Sequence, residues 1–143
     1  MKETKKILRV AVFNSLNGQI TIDGNTVPVY DEKNDGENLY ILLSNQQETD
    51  DNTSDAFITL STIDIEVVQQ TGYSVSKDDI DDINDQILTI LIPTPSTTGM
   101  TLPSGFLFHS VRRESSRSLA FEISPTESII RNITTISTII TQQ

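Results

Sequence analysis

The chain has no cysteine, no tryptophan and a single histidine among its 143 residues. Without cysteine there are no disulfide staples, thiolate nucleophiles or cysteine-ligated zinc sites. The lone histidine, His109, rules out a two-histidine metal site, and any Ser-His-Asp triad would have to be built on it. Apolar residues are sparse at 36%, so the core is expected to be lean. No apolar run approaches the ~20 residues that a membrane-spanning helix needs. The basic start, Met1 to Lys6, leads into no unbroken apolar stretch and no small-residue cleavage site, so no secretory signal is expected. Positive charge is also scarce: ten Lys and Arg stand against 20 Asp and Glu, a net of −10. That balance argues against a grip on nucleic acid or on anionic membranes, both of which need clustered cations.

What is present fits one structural domain, 1–143. Its charge is unevenly spread. Residues 1–22 carry a net of +3, residues 23–85 a net of −14 and residues 86–143 a net of +1. A monomer could carry an acidic body between two mildly basic ends by chance; a self-associating protein could use it to set orientation, because complementary potentials steer encounter and fix register.

Periodicity separates the elements. Ile7, Leu8, Ala11, Val12 and Leu16 fall on one helical face, and Asn17-Gly18 ends that helix. Ile20 and Ile22, then Val27 and Val29, flank Asp23-Gly24-Asn25 as a hairpin. Residues 30–38 read as a loop. Leu39 to Leu43 is a short buried strand, and the polar, acidic stretch 44–56 is a mobile loop or long hairpin tip. Phe57 to Gln70 alternates as a strand rich in β-branched residues.

A second helix opens with Ser76 as N-cap and Asp79 in an approximate capping box. Ile80, Ile83, Ile87 and Leu91 form its apolar face, and Pro93 and Pro95 close it. A flexible loop runs over 93–105. Phe106 to Val111 is a strand, 112–118 is strand or turn, Leu119 to Glu122 is an apolar patch, and Pro125 breaks the chain. Residues 126–141 have helical isoleucine spacing at Ile129, Ile133, Ile136 and Ile140. Ile and Thr nevertheless supply 11 of those 16 residues, which favours one long strand inside a sheet. The fold class expected is α+β, a mostly antiparallel sheet packed against one or two helices.

Few constellations carry chemistry. The run Asp78-Asp79-Ile80-Asp81-Asp82-Ile83-Asn84-Asp85 fails as a calcium loop, since Ile falls on ligand positions and neither the glycine nor the closing glutamate is in place. An acidic, solvated helix face is the plainer account. His109, beside Phe106 and Phe108, reads as a packed or interface imidazole. No nucleophile elbow, P-loop or dinucleotide glycine pattern occurs. No catalytic residue, cofactor or metal is expected, and the chain is not expected to be an enzyme.

Arg112, Arg113 and Arg117 form the one compact basic group outside the N-terminus. They read either as surface charge or as an inter-subunit contact with the acidic second helix of a neighbour, at Asp78, Asp81, Asp82 and Asp85. On a regular strand Arg113 and Arg117 share a side and Arg112 lies opposite.

The order of elements, helix, hairpin, "LYILL", "FITLSTIDIEVV", "KDDIDDINDQILTIL", "FLFHSVRRESSRSLAF" and "SIIRNITTISTII", resembles the small tail-completion or tail-terminator-like proteins of tailed bacteriophages, with crAss-like phages as one source. The stretch Val111 to Leu119 matches a V-x-x-E-S-x-R-x-L pattern of that family. The proline-rich stretch Pro93 to Pro103 departs from it by its length. The resemblance implies a homomeric ring, a hexamer or dodecamer, at the neck or upper tail of a virion assembled in the host cytoplasm. Its partners would be copies of itself and adjacent neck, portal-connector or tail proteins. DNA would pass through without specific binding, and no membrane is involved. The rival expectation is an acidic soluble binding module, or an inhibitor that mimics nucleic acid.

Overall fold

The computed structural model describes residues 3–32, 37–70, 77–124 and 127–143. Helix α1, Lys5–Leu16, is followed by a two-residue ladder of β1, Thr21–Ile22, and β2, Asn25–Thr26. Asp23 and Gly24 turn that hairpin with φ of 51° and 80°, the positive values a tight two-residue turn demands. Val29 leaves the hairpin and enters β3, Val29–Tyr30. Then come β4, Leu39–Asp50, β5, Phe57–Gln70, α2, Lys77–Leu91, β6, Phe106–Ser124, and β7, Glu127–Gln142.

The main sheet has the order β3-β4-β5-β7-β6. Every joint is antiparallel except β3 on β4, which is parallel and confined to Val29↔Ile41 and Tyr30↔Leu42. Residues 126–141 thus resolve in favour of the strand: from Glu127 on they lie in β7, the element between β5 and β6, where β-branched side chains pack on a pleated surface. The polar stretch expected as a loop or hairpin tip is a hairpin. β4 runs on through Asp50, and residues 51–56 alone connect it to β5. The proposed Ser76 cap and the Pro125 break lie outside the described residues.

Both helices cover one face of the sheet. Leu8, Val12 and Leu16 of α1 and Ile80, Ile83, Ile87 and Leu91 of α2 are buried against Ile41, Leu43, Ile63, Ile65, Val67, Ile136 and Ile140. Each such side chain withdrawn from water contributes roughly 1.5–3 kcal/mol. Polar contacts fix the helices on this layer. Thr4, just before α1, has its hydroxyl 2.7 Å from a Glu48 carboxylate oxygen and 2.9 Å from the Ser61 hydroxyl. Thr134 of β7 donates to Asn84 of α2 at 3.1 Å. The Gln86 amide clamps the hairpin, accepting from Thr21 N at 3.0 Å and donating to Thr21 O at 2.8 Å.

The second face of the sheet carries a small cluster at one end, Tyr40, Leu42 and Val68 with Tyr30 and Ile129 packed on it. The Tyr30 and Tyr40 rings meet edge-on at 5.9 Å. Among the described residues no helix covers the middle of this face, where Thr62, Asp64, Thr135 and Ser137 are half-buried.

Candidate assembly surface

β6 stands at the edge of the sheet, and no strand among the described residues pairs with its outer side. Every residue from Arg112 to Phe121 is exposed, whichever face it points to. Ordinarily an edge strand buries one face; this one protrudes. Leu119 and Phe121 are exposed to 37% and 51%.

The strand is not regular. Its register against β7 shifts at Phe108/Ser110, Arg113/Ser115 and Glu122/Ser124. Each shift places an extra residue in β6, and Glu114 is the extra one between the arginines. Arg112 opposes Ser137 and Arg117 opposes Ile133, whereas Arg113 opposes Ile136. Directly opposed residues share a face. Arg112 and Arg117 therefore lie together on the open face, and Arg113 lies on the helix face with the core residue Ile136. This overturns the expectation that Arg113 and Arg117 share a side; strict alternation holds only until the bulge adds its residue.

None of the three arginines has an ion-pair partner among the described residues. The ion pairs there are Arg131 with Glu66 at 3.3 Å, where the Glu66 side chain is only 8% exposed, and the looser Arg9–Asp31 contact at 3.9 Å. Asp78, Asp81, Asp82 and Asp85 are all exposed and, at 3.6 residues per turn, form one stripe of α2. Ile80, Ile83 and Ile87 point the other way, into the core, so the stripe looks away from the sheet. Within one subunit the structure does not bring Arg112 and Arg117 to these aspartates; they occupy opposite sides of the molecule.

His109 is exposed at the first bulge of β6, not packed. Among the described residues, no group of three or more His, Asp and Glu is placed to hold a metal ion, and no helix is long and apolar enough to cross a membrane.

The opposite edge is missed by sequence reading because it depends on topology. β3 covers β4 only at Ile41 and Leu42, which leaves Leu43–Asp50 without a partner strand on its outer side among the described residues. Following the ladder across, Gln47 opposes Thr62, Thr62 opposes Ser137 and Ser137 opposes Arg112. The open stretch of β4 and the arginine stretch of β6 thus lie level with each other on the two edges of the sheet.

No family model matches the sequence, and no curated protein matches it. Among solved structures, a chain described as "Virion of native gene transfer agent (GTA) particle" matches with a TM-score of 0.68 and 13% identity. The match covers 98% of this chain and 99% of that one, so the whole α+β architecture is shared.

Proposed function

We propose that this chain is a structural subunit of a phage-like virion, forming a homomeric ring at the head–tail junction that joins connector to tail around the DNA path. The observation that carries the reading is the end-to-end likeness of fold to a chain of a gene transfer agent virion. Three features support it. The order of elements and the Val111–Leu119 stretch resemble tail-terminator-like proteins. Among the described residues no strand pairs with the outer side of β6 or of Leu43–Asp50 in β4, which leaves room for a neighbour on each side. The net charge of −10 suits a wall that DNA passes without sticking.

On this reading the chain is not an enzyme, and its location is the virion. Gold-labelled antibody raised against the chain and applied to purified particles tests it. Label at the head–tail junction is expected; particles that lack the chain, or label on the capsid shell alone, would overturn it. A second reading, an acidic mimic of nucleic acid, is favoured by the solvent-facing aspartate stripe of α2. It predicts a tight 1:1 complex with a DNA-binding protein.

A further inference from the structure

The two open edges are complementary in hydrogen bonding, direction and charge. β4 runs antiparallel to β5, β5 to β7 and β7 to β6, so β6 and β4 point in opposite directions across the sheet. A copy set beside another in the same orientation would therefore bring its β6 antiparallel to the neighbour's β4, and the alternation would continue unbroken across the joint. Arg112–Phe121 holds three arginines and one glutamate, whereas Leu43–Asp50 holds Glu48 and Asp50 and no cation.

Edge strands in monomers are often guarded by charges and bulges, and β6 has both at Arg112–Ser115. Beyond the bulge that guard lapses. From Ser115 to Phe121 the one charge is Arg117, the register against β7 is regular, and Leu119 and Phe121 are bare. A long open edge of that kind is a template for another strand. Pairing two β6 edges with each other would bring together two stretches of net charge +2, which is unfavourable. The opposite edge carries the matching sign.

We infer that the ring is closed by strand addition: the outer edge of β6, within Arg112–Phe121, hydrogen-bonds antiparallel to the open edge of β4, Leu43–Asp50, of a second copy of this chain. This rests on the ring reading and names its joint. It also removes the α2 stripe as the partner of Arg112 and Arg117. Rotation about a ring axis keeps the same face of every subunit outward, so the α2 stripe of one copy does not turn toward Arg112 and Arg117 of the next. Glu48 and Asp50, opposite Ser61 and Thr59, lie on the helix face with Arg113, so Arg113 is the arginine of β6 that shares their side at the joint. Arg112 and Arg117 meet the open-face residues Gln47 and Thr49 and contribute through the net charge of the edge.

The absence of native cysteine makes disulfide trapping clean. Gln47 opposes Thr62 on the open face, the face that Arg112, Ser115, Arg117 and Leu119 also share through their β7 partners. Gln47→Cys is combined in turn with Arg112→Cys, Ser115→Cys, Arg117→Cys or Leu119→Cys in the full chain. After mild oxidation, one pairing is expected to give a ladder of dimers, trimers and higher bands, while each single variant stays monomeric on a denaturing gel. Mixing the two single variants of the productive pair should stop at the dimer. Dimers from a single β6 variant alone would overturn the joint in favour of β6 pairing with itself. Multimers by light scattering with no ladder at any of the four pairings would overturn the joint and leave the ring. A chain that remains monomeric by scattering would overturn both.

Discussion

Arg112 and Arg117 lie on the same face of β6, opposite Ser137 and Ile133, because the bulge at Glu114 inserts one residue between them. Both are exposed and have no ion-pair partner within the described fold, so they add little to the stability of one subunit. Replacing both by glutamine should leave the thermal midpoint within a degree or two, as surface changes of this kind stay within about 0.5 kcal/mol. The same variant should assemble less well at low salt. Exposed pairs contribute ~0–1 kcal/mol each and are screened as salt rises, so the difference from the parent should shrink at high ionic strength. Sizing at two salt concentrations checks it, and a variant that fails to fold would place these arginines in a buried network instead.

Thr4 is the polar anchor of α1. It is 1% exposed, and its hydroxyl joins Glu48 to Ser61. Thr4→Ala should cost about 1–3 kcal/mol in urea unfolding, since the buried Ser61 hydroxyl loses a partner. Thr4→Ser keeps the hydroxyl and should recover most of the loss.

Ile87 is fully buried between α2 and the sheet. Ile87→Ala should cost about 2–5 kcal/mol, the range for deleting a buried branched side chain and leaving a cavity. With so lean a core, that is a large share of the ~5–15 kcal/mol typical of a domain. Calorimetry should show a clear fall in the unfolding midpoint.

Calcium should find no stoichiometric site on α2. Asp78, Asp81, Asp82 and Asp85 share a stripe but form no ligand cluster among the described residues. Titration calorimetry should show binding no tighter than the millimolar range; a micromolar site would contradict the placement of these side chains.

Much of the architecture was legible where burial imposes a period. Ile80, Ile83, Ile87 and Leu91 marked the core face of α2, and alternation marked β5 from Phe57 to Gln70. The far half of β4 was not legible, because Ser44 to Asp50 carries no apolar alternation; its strand is held by the ladder to β5 and by Gln46 and Glu48, which reach Lys5 O and Thr4 at the start of α1. The arginine faces were out of reach for a different reason. A bulge changes the parity of every later residue, and nothing in Arg113-Glu114-Ser115 announces one. The open edge of β4 is a property of strand order, to which local pattern is blind.

The central claim is that the chain closes on copies of itself. Light scattering coupled to size exclusion, run on the purified chain from dilute to high concentration at low salt, tests it most directly. A discrete multimer of six or twelve copies that grows in with concentration is the expected result. A particle of 15.9 kDa at every concentration would contradict it.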